Sequence, residues 1–499
     1  MKTRAWEILP GAISWSILII PSLLSFWHPE ATAIFVLMYL VFWWLFKMLP
    51  FITILVGAYK RLRRDLKIDW QHRLDKLGAR GQEIVNLVIV ATYKEELPIL
   101  ETTIQALKDS TLPNKQVVVL VATEERDKIR AAKNVEALKK KFGRSFLAFW
   151  STEHPANTLG EVKGKGSNIA YAGHQAVPLI KKLGLKPENV IVTTLDADHR
   201  VDPKFLAALT YTYLTTPEPL NKTYQGLPLY FNNIWDVPFV VRMLAMGSSF
   251  WQMIESIRSY RLRNFSSQSQ SLAALLKTDF WSNQTIVEDG HQYWRSYFTF
   301  KGDYSVVPIF VPIYYDAVYA ENLPLTYRES YLQQRRWAWG CSDIPYVMPR
   351  LWKMKEISLG DKLTQTFRLF DGYITWAVGS LLLAFVAWTP VWFNHGFQLS
   401  VFGANFPSVY RTILAVATIG TIVVLTVSTL ILPPYPRKRR LVLDWIFTPF
   451  VTPLAHIIFG CIPAMDAQTR LMLGKYLEFR VTPKNIDRRT GAKSVSVIQ

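Results

Sequence analysis

The apolar residues of this chain cluster near its two ends, whereas its middle has the mixed texture of a soluble domain. Near the N-terminus the apolar segments run from Gly11 to Trp27 and from Ala31 to Tyr59. Near the C-terminus they run from Phe370 to Phe393 and from Ile413 to Leu432. A crossing of the hydrocarbon core needs about 20 mostly apolar residues. The pattern therefore predicts two pairs of transmembrane helices with a soluble domain between them.

The predicted soluble domain contains three short, nearly continuous apolar runs, at 84–90, 116–121 and 190–195. Such runs, rich in β-branched residues, are typical of buried parallel strands. Helix-like stretches lie between them, at 98–109 and 129–141. The alternation predicts a doubly wound α/β sheet, in which ligands bind beyond the carboxyl ends of the strands. The polar residues that follow each run are therefore the candidates for chemistry.

Basic residues give the chain a formal net charge of +19. They crowd beside the apolar segments in four groups: Lys60 to Arg64, Arg73 to Arg80, Arg437 to Arg440 and Lys484 to Arg489. Lys and Arg flank the cytoplasmic ends of membrane spans, where they also contact membrane lipids. We therefore expect an integral protein of the cell or inner membrane, with its soluble domain, which holds the candidates for chemistry, and its N-terminus in the cytoplasm. The sequence has no zinc-finger spacing and no basic zipper, so nucleic acid is not an expected partner.

The apolar segment from 441 to 463 conflicts with this topology if it crosses the membrane completely. A full crossing would place the basic group at 484–489 outside, against the positive-inside tendency. Pro449, Pro453 and Pro463 interrupt the segment, and helix-breaking residues favour a broken element that is shielded by protein. We therefore expect an interfacial or re-entrant hairpin that leaves the C-terminal tail in the cytoplasm.

Two carboxylates, Asp196 and Asp198, directly follow the third apolar run. Carboxylates at this spacing, where a strand gives way to a loop, can approach one divalent cation and a diphosphate together. Mg²⁺ or Mn²⁺ prefers such oxygen ligands and usually shares them with substrate phosphates. An isolated Asp-x-Asp is also typical of a solvated turn, so the position at a strand end carries the prediction of a metal site.

Two further groups of residues have the chemistry of a group-transfer site. Glu288 and Asp289 form an acid pair that can supply a general base to an acceptor hydroxyl. Gln333, Arg336 and Trp337 form a Gln-x-x-Arg-Trp motif, whose guanidinium suits a diphosphate and whose indole suits a sugar ring. Taken alone, the acid pair is also typical of the first turn of a helix. The second group, taken alone, is also typical of the basic face of a membrane-proximal helix.

In this order, the motifs resemble those of family-2 glycosyltransferases of the cellulose synthase and hyaluronan synthase kind. The set begins with Thr92-Tyr93-Lys94-Glu95 after the first run, continues with the three groups above, and ends with Phe479-Arg480-Val481-Thr482-Pro483-Lys484. The last sequence fits the Phe-x-Val-Thr-x-Lys gating-loop motif of bacterial cellulose synthase. The resemblance covers residues 84 to 484. It implies a metal-dependent hexosyltransferase, with a GT-A-like catalytic domain inserted between transmembrane helices.

The resemblance also implies which residues bind the donor. The nucleotide base and ribose would be held by Thr92, Tyr93 and Glu95. The diphosphate would lie near Lys165 and Asn168, in a Gly- and Lys-rich segment that is also typical of a flexible loop.

The remaining matched residues would form the reacting centre. Asp196 would face the nucleotide and Asp198 the metal ion, Mg²⁺ or Mn²⁺, while Asp289 beside Glu288 would be the base. The acceptor and the diphosphate would be clamped by Gln333, Arg336 and Trp337. The bound nucleotide sugar would be covered by Thr482 and Lys484.

One position departs from the family pattern. Family members usually carry an aspartate after the second strand, facing the base, whereas this chain has Ala122-Thr123-Glu124-Glu125 there. The identity of the nucleotide therefore stays open, with a UDP-sugar as the expected donor. The segment 266–281 has no feature that maps onto a known acceptor, and we expect it to set acceptor choice.

The sequence therefore predicts an inverting enzyme that transfers a sugar from a nucleotide-sugar donor to a growing β-linked polysaccharide at the membrane. Any accessory export subunit is unidentified. Two alternatives stay open: a non-processive transferase that adds one sugar to a membrane lipid, and a sugar-binding membrane protein or transporter without catalysis. The predicted segments are a transmembrane helix pair (1–60), a basic cytoplasmic linker (61–82), the glycosyltransferase domain (83–346), an interfacial segment (347–369), two transmembrane helices (370–432), a basic turn with the hairpin (433–465) and a cytoplasmic tail (466–499).

Overall fold

The computed structural model of the protein describes residues 2–434 and 438–478. The chain forms two compact units. Within the described residues, we call them the sheet unit, residues 58–236, 245–317 and 478, and the helical unit, residues 2–57, 237–244, 318–434 and 438–477.

The sheet unit is built on one mixed sheet. Its strands within the described residues are β1 (Val85–Ala91), β2 (Val117–Glu124), β3 (Ala148–His154), β4 (Val190–Asp196), β5 (Arg200–Val201), β6 (Lys222–Leu229), β7 (Gln268–Ser271) and β8 (Ser305–Tyr314). Their order across the sheet is β3-β2-β1-β4-β7-β6-β8-β5. Strands β1 to β4 are parallel to one another, whereas β7 is antiparallel to both of its neighbours.

Helices cover both faces of the parallel half of this sheet. The helices of the sheet unit are Trp70–Asp75, Ala79–Gln82, Leu97–Lys108, Lys128–Phe142, Lys165–Lys182, Phe205–Thr215, Leu272–Thr278, Glu288–Thr299 and the greater part of Phe239–Ile257. On β1, Leu87 packs in a core with Ile169 of the helix Lys165–Lys182. Its neighbour Asn86 donates from Nδ2 to Thr210 Oγ1 of another helix, 2.9 Å away. Because successive side chains of a strand point to opposite faces, the predicted doubly wound α/β arrangement is confirmed.

The sequence predicts the three strands that have a continuous apolar run and misses the others. The runs at 84–90, 116–121 and 190–195 are β1, β2 and β4, so the run that carries Asp196 is the fourth strand and not the third. Strand β3 lies at the edge of the sheet and is only half-buried, so it has no continuous apolar run. Strand β7 is buried but polar, with the sequence Gln-Ser-Gln-Ser.

The helical unit contains the apolar segments. Its principal helices are Lys2–Leu24, Pro29–Trp43, the first half of Leu49–Asp65, Leu323–Ala338, Ile344–Lys353, Leu359–Ala384, Thr389–Phe393, His395–Leu399, Val401–Ile431, Lys438–His456 and Ile462–Leu473. Short π-helical segments at Trp44–Met48 and Ile457–Cys461 join neighbouring helices without a break. Within residues 2–434 and 438–478, five helices are long and apolar enough to cross a membrane: Arg4–Leu24, Pro29–Asp65, Leu359–Phe393, Val401–Ile431 and Arg439–Leu473. The predicted apolar helices on both sides of the α/β domain are thus confirmed.

The segment 441–463, predicted as an interfacial or re-entrant hairpin, lies within one continuous helical run, Arg439–Leu473. Pro449 and Pro453 lie inside its first half, and a π-helical segment follows them. Helix-breaking residues are tolerated in apolar helices where neighbouring helices and local π-helical adjustments satisfy the freed backbone groups.

The C-terminal end of this last helix lies beside the start of the first helix. Arg4 Nη1 donates to the carbonyl oxygen of Leu471 at 3.0 Å, and the hydroxyl of Tyr476 donates to Glu7 at 3.0 Å. The other end of the first helix meets the loop that follows residue 393, where Asn394 Nδ2 donates to the Phe26 carbonyl at 3.1 Å. The start of the tail and the start of the chain therefore share one end of the helical unit.

The beginning of the last helix lies toward that same end. Val401–Ile431 starts at the Phe26 end and runs away from it, since Tyr410 bonds to the Leu383 carbonyl and the later Gly420 packs against Ile52. Near its far end, Thr429 accepts a hydrogen bond from Trp445 Nε1 at 3.1 Å. Both ends of Arg439–Leu473 therefore lie toward one end of the helical unit.

We expect residue 475 and residue 395 to face opposite sides of the membrane. Both side chains are exposed, and each lies near a different end of the first helix. Single cysteines, Lys475→Cys and His395→Cys, are to be tested with a membrane-impermeant maleimide in a background without Cys341 and Cys461. In intact cells only the cysteine at 395 should react, and that at 475 only after lysis. Equal labelling of both in intact cells would contradict the arrangement.

Candidate functional site

The carboxyl ends of β1, β2 and β4 meet at one edge of the sheet, as the sequence predicts. Ala91 pairs with Ala122 of β2 on one side and with Asp196 of β4 on the other. Thr92, which follows β1, donates its backbone N–H to the Ala122 carbonyl at 2.9 Å. The helix Leu97–Lys108 fixes the turn after β4, since Thr103 Oγ1 donates to the Ala197 carbonyl at 2.6 Å.

Lys165 joins the carboxylates that the sequence predicts for the site. It lies in the first turn of the helix Lys165–Lys182. Its Nζ is 2.8 Å from Asp196 Oδ1, 3.4 Å from Asp289 Oδ2 and 3.6 Å from Glu288 Oε1. Burial works against its charge, but these carboxylates outweigh it and hold the pKa of Lys165 above its ordinary range. One ammonium thus compensates three acidic side chains from distant parts of the chain.

The two members of the acid pair differ in access. Both lie in the first turn of the helix Glu288–Thr299. Glu288 is only 4% exposed, and burial, followed by the charge of Asp289, raises the pKa of Glu288, although Lys165 opposes the shift. The side chain of Asp289 is 22% exposed and accepts a hydrogen bond from Gln268 Nε2 at 3.4 Å. Asp289 is therefore the member that a substrate can reach.

Asp196, Asp198 and His199 form a compact group at the end of β4. One potential ligand atom from each lies within 4.8 Å of the others. Asp198 is buried, and its carbonyl accepts a hydrogen bond from Asn232 Nδ2 at 3.0 Å, which fixes the turn. Two carboxylates so close together provide the oxygen donors that Mg²⁺ or Mn²⁺ prefers, so the residues fit a divalent cation.

The loop after β1 is organised by its own glutamate. Glu95 accepts hydrogen bonds from Thr92 Oγ1 at 2.9 Å and from the Tyr93 N–H at 2.6 Å. Lys94, between them, has a positive φ of 70°. Glu95 thus fixes the conformation of the loop, and Tyr93 provides the aromatic ring of this loop.

The acid at the end of β2 is bound by a nearby arginine. Glu124 is buried and accepts a hydrogen bond from Arg126 Nε at 2.8 Å. Burial raises the pKa of Glu124, although the Arg126 guanidinium opposes the shift. The same guanidinium lies over the Tyr93 ring, 4.5 Å from its centroid. Where an aspartate was expected after the second predicted strand, the chain thus has a Glu124–Arg126 pair beside the Tyr93 ring.

Asn168 is buried and links two elements of the site. Its Nδ2 donates to the Ala122 carbonyl at 2.9 Å, so it holds the helix Lys165–Lys182 to the end of β2. Its Oδ1 has no hydrogen-bond partner among the residues that the structure describes.

Gly166 lets this helix approach the acid pair closely. A Cβ at this position would lie 2.7 Å from the Ser282 carbonyl oxygen and 3.0 Å from Glu288 Cβ. Gly166→Ala is therefore expected to destabilise the protein by about 1–3 kcal/mol and to reduce activity, because Lys165 must shift against the carboxylates. Thermal unfolding of the purified protein measures the first effect. Gly290→Ala is the matched control, since nothing lies within 4 Å of its added carbon, and equal destabilisation of both variants would contradict the close fit.

The Gln-x-x-Arg-Trp residues belong to the helical unit. Gln333, Arg336 and Trp337 lie on the helix Leu323–Ala338, and each is half-buried. Their neighbour Arg335 binds Asp466 of the last helix, with Nη1 2.8 Å from Oδ2. The predicted covering residues of the tail, Thr482 and Lys484, lie outside the described residues.

Several residues of the site carry no individual role in the sequence-based prediction, although three of them lie in the segment 266–281 that is expected to set acceptor choice. Ser266, Ser267, Gln268, Arg126 and Tyr315 all contact predicted site residues or their immediate partners. The signal that the sequence offers for three of them is the polar run Ser266-Ser267-Gln268-Ser269-Gln270-Ser271 just before a helix. The last four residues of this run form the buried strand β7, although a polar run is typical of a loop.

No model of a known protein family matches the chain, and no curated protein matches it. Among solved structures, one similar chain is the mannosyltransferase PcManGT from Pyrobaculum calidifontis in complex with GDP-Man and Mn²⁺. It is 14% identical, with 86% of this chain and 99% of that chain covered and a TM-score of 0.43. Another is residues 1–349 of S. aureus TarS, 12% identical, with 80% and 94% covered and a TM-score of 0.35. At these TM-scores neither likeness decides the function of this chain.

Proposed function

We propose that this chain is a membrane-bound, metal-dependent glycosyltransferase of the family-2 type. It transfers a sugar from a nucleotide-sugar donor, with a UDP-sugar expected, to a growing β-linked polysaccharide. The observation that carries the proposal is the meeting of Lys165 with Asp196, Asp289 and Glu288 at the carboxyl edge of a parallel sheet. Such an edge is where α/β sheets bind their ligands.

The donor lies along the ends of β1, β2 and β4 in this proposal. Tyr93 and the neighbouring Arg126 form the surface for the nucleotide base, and Thr92 and Glu95 fix the loop that carries it. Lys165 supplies positive charge to the diphosphate, since its ammonium stays protonated.

Asp289 is the general base of the proposed reaction. An acceptor hydroxyl attacks the anomeric carbon from the face opposite the diphosphate, while its proton passes to the Asp289 carboxylate. The bond from the anomeric carbon to the diphosphate oxygen breaks, and the nucleoside diphosphate leaves with the electron pair. Attack from the opposite face inverts the anomeric carbon, so an α-linked donor gives a β-linkage. Glu288 is less suited to this role because it is buried.

Asp198, with Asp196 beside it, would hold the Mg²⁺ or Mn²⁺ ion. When bound, the ion neutralises negative charge on the leaving diphosphate. The carboxylates of this chain orient the ion, and the buried turn after β4 fixes their direction.

The Gln-x-x-Arg-Trp residues and two residues of the tail also have roles in this proposal. Gln333, Arg336 and Trp337 clamp the acceptor and the diphosphate, and Thr482 and Lys484 cover the bound donor. The catalytic domain faces the cytoplasm, where nucleotide sugars are made available, and the acceptor end of the polymer is held at the membrane. The support for these roles is the resemblance of the motifs.

Transfer by the purified, full-length protein in lipid tests the proposal. The protein is to be incubated with a panel of radiolabelled nucleotide sugars and Mn²⁺ or Mg²⁺, followed by sizing and linkage determination of the product. We expect a β-linked polymer, release of the nucleoside diphosphate, and loss of both on chelation of the metal. If the product were a single-sugar glycolipid, the protein would be a lipid-modifying transferase and not a polysaccharide synthase. Neither transfer nor donor hydrolysis with any donor would overturn the enzymatic proposal.

A further inference from the structure

His199 follows the Asp-x-Asp pair and is almost fully buried. Its ring stacks on Tyr315, with the centroids 3.6 Å apart and the planes 9° from parallel. Tyr315 is itself fixed, since its hydroxyl donates to the Ser266 carbonyl at 2.6 Å. The imidazole therefore has one orientation, and its two nitrogens have defined neighbours.

The neighbours of Nδ1 determine the tautomer of His199. The backbone nitrogen of Asp196 is 3.2 Å from Nδ1 and can only donate a hydrogen bond to it. Ser267 Oγ is 2.6 Å from the same nitrogen. Nδ1 is therefore the acceptor, and the proton of the neutral ring lies on Nε2. Nε2 is 3.4 Å from Asp196 Oδ2, so that carboxylate lies beside the protonated nitrogen.

We propose that His199 is a positioning residue that directs the Asp196 carboxylate, and that it is not a ligand of the metal ion. Ligation through Nε2 requires the lone pair on that nitrogen, which moves the proton to Nδ1. The Asp196 N–H would then face another N–H instead of an acceptor, and a buried donor without an acceptor is costly. Ligation through Nδ1 would displace the same backbone donor and Ser267.

The consequence of this inference for metal binding rests on the proposed function. The hydrogen bonding of His199 does not depend on the proposed function. With His199 excluded, the ligands that this cluster of described residues offers the ion are the carboxylates of Asp196 and Asp198. An ion held by one or two carboxylates takes its remaining ligands from water and substrate phosphates. The ion is therefore expected to bind tightly only together with the nucleotide.

The tautomer is the first test and needs no metal. Full-length protein labelled with ¹⁵N-histidine in lipid bilayers is to be studied by solid-state NMR, with the His199 signal assigned by its loss in His199→Gln. We expect the neutral ring to carry its proton on Nε2. A neutral ring with its proton on Nδ1 would overturn the proposal.

Pulsed electron paramagnetic resonance of bound Mn²⁺ is the second test. In the ¹⁵N-histidine protein with Mn²⁺ and UDP, we expect no coupling from a coordinated histidine nitrogen. A coordinated nitrogen signal that disappears in His199→Gln would show that His199 is a ligand and refute the inference. Because neither measurement requires turnover, loss of the proposed transferase activity would leave both readable.

Two substitutions distinguish a positioning role of His199 from a space-filling role. The amide of His199→Gln can place an N–H near the position of Nε2, whereas His199→Asn can keep an acceptor near Nδ1 and loses that donor. We expect His199→Asn to lower kcat by about 10–100-fold, with His199→Gln clearly less affected and the donor KM changed little in either. Equal losses in both variants, with equal losses of thermal stability, would mean that His199 only fills space, and would count against the proposal.

Discussion

Replacing Asp289 with asparagine is expected to lower the rate of sugar transfer by roughly 10²–10⁴-fold, the usual contribution of a general base. The amide is nearly isosteric with the carboxylate and keeps an acceptor for Gln268 Nε2, which is 3.4 Å away in the native protein. It cannot take the proton of the acceptor hydroxyl. Donor binding, measured by nucleotide titration of the purified protein in lipid, should stay within a few-fold of the native value, because the main loss is confined to the transition state.

Two further variants show whether the loss of transfer is particular to Asp289. Asp303→Asn removes a carboxylate that is largely exposed and lies just before β8, outside the residues assigned to the site, so it should transfer sugar normally. Glu288→Gln tests the choice of base within the acid pair. If Glu288→Gln lost as much activity as Asp289→Asn while remaining folded, or if Asp289→Asn kept native turnover, the assignment of the base would be wrong.

The second large effect is expected from Lys165→Met, which removes an ammonium that three carboxylates share. The side chain of Lys165 is 11% exposed, so its loss leaves buried negative charge without its counter-ion. Removing one partner of a buried ion pair typically costs about 3–5 kcal/mol. Thermal or denaturant unfolding should show this loss, and the KM for the donor should rise because the diphosphate loses a cationic partner.

Neighbouring residues provide the comparison for Lys165→Met. Lys163 lies two positions earlier and is exposed, so Lys163→Met should change neither the unfolding free energy nor the KM by a comparable amount. Glu288→Gln, added to Lys165→Met, removes one of the uncompensated charges and should recover part of the stability without recovering donor affinity. Independent, additive effects of the two changes would contradict the charge coupling between them.

The sequence identifies those residues whose role depends on short stretches of chain. Strands β1, β2 and β4 are recognisable because a strand buried on both faces needs a continuous apolar run whatever surrounds it. The position of Asp196 follows from the same pattern, since it ends such a run. The register, in which Ala91 lies between Ala122 and Asp196, then confirms that the polar ends meet.

Residues whose role depends on distant partners were not recognisable in this way. Strand β7 is polar yet buried because its side chains find partners elsewhere: Ser269 Oγ lies 2.8 Å from Thr193 Oγ1, and Gln270 Nε2 donates to Ser296 Oγ at 3.1 Å. A polar run of this kind is otherwise typical of a loop. The segment 441–463 shows a related effect, because neighbouring helices and a π-helical segment allow a helix to continue through its prolines.

The sequence by itself determined the α/β class, the apolar helices on both sides of it and the identity of the acidic residues at the strand end. All three follow from local periodicity and from the positions of charges next to apolar runs. Only the tertiary structure decided that Lys165 is shared by Asp196, Glu288 and Asp289, that Asp289 and not Glu288 is accessible, and that the His199 ring faces Asp196. These outcomes depend on burial and on distances between residues far apart in the chain, which are set by packing and not by local sequence.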